Sequence, residues 1–388
     1  MRIIYLANSR IPTEKAHGTQ IVKMCEAFVD SGDELELIIS NRNNWIKEDI
    51  FSFYDITNKF KIKKIPVVDA IKIFNNSFGF ILQSISFAIS CIIYLKKIKY
   101  RGVIYSRDYF ILAMLSLFGK YQLYYEIHTW SENINWFRRY IYSRVYFVTI
   151  SNGIKKELVD FGINENKILV APDGVDLNSF RQVNGNKIIL RKDLYLPQDR
   201  QIIAYIGKLT TMGQEKGMSL IFASFKEVLS QYTKAYLLVV GLDKKEIEYT
   251  KKILNELNIG PENYQLIGHV NKNEVIKYEK SADALLMAYP DQKHYRLYMS
   301  PLKMFEYMAS GVPIISTDLP AIREILNESN SLLVKPGNTE SFAGAIIKIF
   351  IDDKLAQNIS QRAMIDIEQY TWEKRSMNIL QFIKQYDI

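Results

Sequence analysis

The sequence predicts an α/β protein built from two doubly wound domains. Three observations carry this. Short apolar runs recur along the 388 residues, each followed by a stretch of helical period, the alternation that builds parallel sheets. The alternation restarts near residue 201, after a polar stretch at 181–200 that reads as a linker. A chain of this length suits two cores rather than one.

In the first half, residues 2–7 (RIIYLA) form the opening strand, which also argues against a signal peptide. A polar loop containing Pro12 follows, and Gly18 opens a helix with Ile21, Met24, Cys25 and Phe28 on one face. Strand, then glycine at a helix start, is the doubly wound pattern, with ligands expected at the strand ends. The spacing is not G-x-G-x-x-G, so a dinucleotide fingerprint is not supported. Residues 34–40 and 61–68 supply two more strands. Residues 78–95 are the most apolar run and approach the length of a membrane span. Gln83, Ser84, Ser86 and Ser90 interrupt it, which favours a buried or membrane-facing helix. Strands at 103–107, 122–128 and 146–150 alternate with helices at 110–118 and 154–161, and His128 ends the middle strand. A short strand at 168–170 leads to the turn Pro172-Asp173-Gly174-Val175-Asp176.

The second half repeats the scheme. Residues 201–207 form a strand ending in Gly207, followed by Lys208, a loop and the pair Lys216-Gly217. Two cations around a glycine-bounded strand–helix loop suit a diphosphate. Further strands lie at 236–241, 264–270 (with Gly268, His269 and Val270 at its end), 284–288 and 332–334. Between the last two stands SPLKMFEYMASGVP, residues 300–313. Ser300 suits an N-cap and Pro301 the first helical position. Leu302, Phe305 and Ala309 recur at helical spacing, and Gly311 ends the helix. The free amides of its first turn make an anion site, in which Lys303 is well placed only beside an anion. Glu306, one turn on, could accept from two sugar hydroxyls. These residues alone leave an ordinary capped amphipathic helix equally open.

The S-P-L-K-x-F-E-Y-M-A-x-G-x-P motif resembles the donor-binding motif of retaining glycosyltransferases of family 4, and the resemblance runs over nearly the whole chain. It implies the GT-B fold: two Rossmann-like domains facing a cleft, with the last helix crossing back to the first. The expected division is 1–180 plus 370–388 on the acceptor side, and 181–369 for the nucleotide sugar. By resemblance, Glu306 holds the nucleotide ribose, and the backbone around Ser300, Pro301, Leu302 and Lys303 holds the diphosphate. Lys208 and Lys216 beside Gly207 add charge, Gly268, His269 and Val270 line the base, His128 lines the donor sugar and Gly18 faces the cleft. The family often has a second Glu eight residues before Glu306. Tyr298 stands there, with Asp291 the nearest acid, so either is a candidate for the sugar. The family commonly follows the His with Asp, whereas this chain has Thr129 and Trp130.

There is no Asp-x-Asp and no His-x-x-x-His, so the usual carboxylate site for a divalent metal is missing and no cofactor is expected. Leaving-group charge would then fall to Lys208, Lys216 and the helix start at Ser300. The expected partners are a UDP- or GDP-sugar donor and a glycan or lipid-linked acceptor. The alternatives are a nucleotide-sugar 2-epimerase of the same fold and an inactive binding subunit. Residues 1–175 carry 23 Lys and Arg against 17 Asp and Glu, most of the net +8. With the segment Trp136-Phe137-Arg138-Arg139-Tyr140, this points to an anionic partner, an inner membrane surface ahead of nucleic acid. Two distant cysteines, Cys25 and Cys91, fit a reducing, cytoplasmic compartment.

Overall fold

The computed structural model describes residues 1–70, 77–118, 121–130, 136–211 and 213–386; the side chains of Trp136 and Phe137, part of the basic-aromatic segment, lie outside the described set. The chain divides into two compact units, Met1–Asp173 with Trp372–Ile388, and Gly174–Thr371.

The first unit is a parallel sheet of seven strands: β1 (Arg2–Ala7), β2 (Glu34–Asn41), β3 (Lys61–Pro66), β4 (Val103–Ser106), β5 (Gln122–Ile127), β6 (Tyr146–Thr149) and β7 (Ile168–Val170). Their order is β3-β2-β1-β4-β5-β6-β7. β1 is buried from Ile3 through Ala7, because a parallel strand covered on both faces carries apolar residues without alternation. Its helices include α1 (Ala16–Asp30), α2 (Ser77–Lys97) and α3 (Tyr109–Phe118). The C-terminal helix, Trp372–Lys384, belongs to this unit and packs on α1. Its Ser376 hydroxyl donates to the Ala27 carbonyl at 3.1 Å, and its Phe382 ring meets Tyr124 and Tyr146.

The second unit has β8 (Gln201–Ile206), a short hairpin of β9 (Thr210–Thr211) and β10 (Gln214–Glu215), then β11 (Ala235–Leu242), β12 (Tyr264–Gly268), β13 (Ala284–Met287), β14 (Ile314–Thr317) and β15 (Leu332–Val334). The main sheet is parallel, in the order β12-β11-β8-β13-β14-β15. Its faces alternate at a period of two: Ile202, Ala204, Leu238 and Val240 enter one core, while Ile203, Tyr205, Leu237 and Val239 enter the other. Three helices frame its site: α4 (Met218–Gln231), α5 (Lys272–Ser281) and α6 (Leu302–Ser310).

Two expectations shift. The first unit ends at Asp173 rather than near 180, because Val175 and Phe180 are already buried in the core of the second. The stretch 181–200 is not a plain linker, since it holds the helix Lys187–Asp193 with Leu190 and Arg191 buried. Its polarity misleads because Arg191 turns back to bond the Ser281 carbonyl at 2.9 Å and Asp283 at 2.6 Å.

Candidate functional site

In a doubly wound sheet, ligands meet the carboxyl ends of the strands where the order reverses. In the second unit that point lies between β8 and β13, and glycines bring the backbone together there. Gly207, after β8, has φ +125, and Gly241 has φ +96 with its missing Cβ only 3.3 Å from the Gly207 backbone. Gly217 has φ +87, and a Cβ there would stand 1.6 Å from the Ala288 carbonyl oxygen. Only glycine lets the loop bearing Lys216 sit against the end of β13. The long loop between Lys208 and Lys216 contains the hairpin of β9 and β10.

α6 starts one residue later than the sequence suggests. Pro301, with φ −75 and ψ 127, takes the N-cap place assigned to Ser300, and Leu302 is the first helical residue. The proline ring fixes φ but not ψ, and an extended ψ leaves the residue outside the helix. Pro301 has no side chain to cap the first-turn amides. At the far end Gly311 closes the helix with φ +73. The Ile206 amide donates to the Tyr307 hydroxyl at 2.9 Å, which pins α6 to the end of β8.

This arrangement drives Lys303 inward. Its ammonium is buried, lies 3.6 Å from the centroid of the Tyr205 ring and has no hydrogen-bond acceptor. A Cβ on Gly207 would be 3.3 Å from it. Burial, then the charge of Lys216, holds its pKa well below the usual lysine value. Burial also lowers Lys216, with Glu246 opposing and Lys208 adding to the effect. Lys208 itself is exposed. Glu306 has no hydrogen bond or ion pair among the described residues, and burial raises its pKa against Lys272 and Lys303. Thus Lys208, Lys216, Lys303 and Glu306 share one electrostatic neighbourhood.

The sequence reading missed two members of it. Glu279 on α5 is fully buried with neither carboxylate oxygen bonded, and burial plus the nearby Glu306 charge push its pKa well above the usual range. Lys272, at the start of α5, acts on both acids while bonding the Ser179 hydroxyl at 3.0 Å. A lone acid in a polar helix gave no signal.

Around this cluster, Gly268 pairs with Leu242 at the end of β12, His269 is exposed and Val270 packs on the core. Tyr298 is only 4% exposed, with the Lys293 ammonium 5.9 Å from its ring centroid. Asp291 sits on the surface, 3.7 Å from Arg296. Among the described residues no group of three or more His, Cys, Asp or Glu is arranged to hold a metal ion.

In the first unit, His128 follows β5, and its Nε2 lies 2.6 Å from the buried Glu126 carboxylate. A carboxylate accepts only, so Nε2 carries the proton and Nδ1 is left as an acceptor. Burial and the Arg107 charge lower the His128 pKa to about 4. Glu126 also accepts from the Tyr105 hydroxyl and pairs with Arg375 of the C-terminal helix at 3.3 Å. Burial alone would raise its pKa, but Arg375 and His128 hold it well below the usual range. Gln20 bridges Arg107 to Asp173, whose pKa burial lifts to about 6 against Arg375. Glu126, next to last in β5, and His128, just past its end, stand two residues apart, the spacing that puts extended residues on one side of the chain and a signal available in the sequence. The Arg375 partnership, 249 residues distant, was not. Gly18 stands inside the first turn of α1 rather than before it, and a Cβ there would lie 2.2 Å from the Tyr54 hydroxyl. Its smallness therefore serves packing.

Residues 17–179 match the family described as Glycosyltransferase Family 4, and residues 200–352 match Glycosyl transferases group 1. The capsular polysaccharide biosynthesis glycosyltransferase CapM of Staphylococcus aureus is 25% identical over 249 residues, 61% of this chain and 62% of CapM. The putative teichuronic acid biosynthesis glycosyltransferase TuaC of Bacillus subtilis is 24% identical over 213 residues, 55% of this chain and 48% of TuaC. The matches thus span about half to three-fifths of these curated relatives. A glycosyltransferase structure from Rickettsia africae ESF-5 superposes with a TM-score of 0.77 at 19% identity, covering 99% of this chain and 98% of that one. HepE of Anabaena, solved in complex with UDP, gives 0.75 at 13% identity over 99% and 100%. At these identities the likeness is one of fold.

Proposed function

The chain belongs to glycosyltransferase family 4, with a group 1 glycosyltransferase domain as its second half, and from that premise we propose that it moves a sugar from a nucleoside diphosphate sugar to a glycan or lipid-linked acceptor in cell-surface polysaccharide synthesis. The observation that carries this reading is the buried Lys303 ammonium, without an acceptor, beneath the Gly207 turn at the start of α6. A desolvated, unpaired cation is costly unless an anion completes it. A diphosphate does so, held by Lys303 and Lys216, by Lys208 from the surface and by the first-turn amides of α6. Glu306 then takes the ribose hydroxyls. The base lies along Gly268, His269 and Val270. UDP is favoured, since HepE was solved with it. Tyr298 shapes the sugar pocket from within the packing rather than by a carboxylate.

The transfer proceeds with retention and without a metal. The bond from the sugar C1 to the β-phosphate oxygen breaks and a bond from C1 to the acceptor oxygen forms on the same face. The acceptor's proton passes to the departing phosphate, so no strong protein base is needed. The reaction takes place in the cytoplasm, where the acceptor is met at the inner membrane surface.

A thermal-shift panel of UDP-, GDP-, ADP- and dTDP-sugars tests the reading. The true donor at a hundred times its dissociation constant stabilises by about 2.7 kcal/mol. Glu306→Ala removes the shift, and product analysis with the donor finds transfer or hydrolysis. An isomerised nucleotide sugar in the absence of acceptor, or no shift with any donor, overturns it.

A further inference from the structure

We propose that the outward face of α2 is a docking surface for an anionic lipid bilayer. α2 has two apolar faces. One holds Phe87, Ala88, Cys91 and Leu95, all at 0% exposure, against the first unit's core. The other presents Ile81 (42%), Leu82 (36%), Ile85 (39%), Ile89 (46%) and Ile93 (62%) to solvent, a stripe at helical spacing along most of the helix. On the adjoining α3, Leu117 and Phe118 are 46% and 60% exposed. Contiguous apolar surface of this extent marks an interaction site.

The helix does not cross a membrane in this fold, although its length and composition would allow it. The Ser84 hydroxyl meets Asn8 at 3.3 Å, the Ser90 hydroxyl donates to the Pro66 carbonyl at 2.8 Å and the Tyr94 hydroxyl donates to Glu36 at 2.6 Å. Spanning would break these bonds and strip the sheet. α2 therefore lies flat, its outer stripe available to an interface.

Charge selects the occupant. Residues 60–102 carry eight Lys and Arg and one acid in sequence, and among the described ones the Lys63 ammonium lies 5.8 Å from the centroid of the Tyr94 ring of α2. Lys96 and Lys97 close the last turn of α2, exposed and without an ion pair among the described residues. A second copy of the chain would bring the same excess of cations and, over residues 60–102, only one acid to meet them. Anionic headgroups meet them, while the acyl boundary accepts the isoleucines. At the other end, Phe80 of α2 forms part of the wall of a cavity of about 410 Å³ that also holds His17 and Arg107. A molecule anchored in the bilayer would thus bring its polar head to the strand ends. The docking does not depend on the transferase reading; the purpose assigned to it does.

Co-sedimentation with vesicles tests this. The full chain is expected to bind vesicles of phosphatidylcholine with about one third phosphatidylglycerol, less so at high salt, and to stay free of phosphatidylcholine alone. Ile85→Glu with Ile89→Glu lowers partitioning about tenfold or more. Lys96→Glu with Lys97→Glu lowers it about fivefold per site. Both variants retain the wild-type melting curve and UDP affinity, which reports on the second unit separately. Absence of binding to the anionic vesicles, or undiminished binding by the Ile85→Glu, Ile89→Glu variant, overturns the proposal. So does a wild-type dimer in sedimentation velocity that the same variant dissociates.

Discussion

Glu279 and Lys303 illustrate what single side chains contribute to this site. Each is a charge-bearing group held out of water without a partner, and each responds by resisting its charged form. The consequence for Glu279 has a definite sign. Its folded pKa is raised, so above the unfolded value the native state binds the extra proton and stability falls as pH rises. Glu279→Gln keeps the shape and removes that penalty. Its melting temperature should therefore match the wild type near pH 5 and exceed it near pH 8, where 1 kcal/mol shows as about 2–4 °C. An equal difference at both pH values would mean that Glu279 is ionised when folded. Arg375 and Glu126 are the opposite case, a buried pair with both members charged. Arg375→Leu leaves Glu126 uncompensated and should cost about 3–5 kcal/mol, whereas Arg375→Leu with Glu126→Gln recovers much of it. Urea titrations of the three proteins measure this, and a double variant no better than the single one contradicts it.

At the scale of elements, glycines decide how closely loops approach the sheet. Gly217 and Gly213 both have positive φ, but a Cβ at Gly217 meets the Ala288 carbonyl while one at Gly213 meets nothing within 4 Å. Gly213→Ala should cost about 1 kcal/mol in backbone strain alone. Gly217→Ala adds a backbone clash and should lose at least about 2–3 kcal/mol, with weaker nucleotide binding because Lys216 is displaced. Calorimetric melting of both variants checks the contrast, and equal losses would refute it. The elements were largely legible beforehand. β1, β7 and β15 fall on the expected residues because a short apolar run bounded by polar or turn residues reads as a strand, whether buried along its length, as β1 is, or half-buried at a sheet edge, as β7 and β15 are. The start of α6 was misplaced by one residue because sequence does not reveal the ψ of Pro301. Residues 181–200 looked like a linker because their cations find partners only in the folded second unit.

For the whole molecule, the two-domain α/β plan and the return of the C-terminal helix were readable from the period of the pattern and the family motif. The candidate site was readable where residues adjoin in sequence, as from Ser300 to Glu306. Those that assemble from afar, such as Glu279 beside Glu306 or Arg375 beside Glu126, needed coordinates, because nothing local encodes the pairing. The division of labour also makes the central claim testable in one unit. Titration calorimetry of UDP against wild type and Lys303→Met, each with and without EDTA, is the most direct measurement. The account predicts an affinity indifferent to EDTA and a loss of about 1.5–3 kcal/mol, roughly ten- to a hundredfold, on removing the Lys303 ammonium, with no loss of thermal stability. Binding that vanishes with EDTA, or that survives Lys303→Met unchanged, would contradict it.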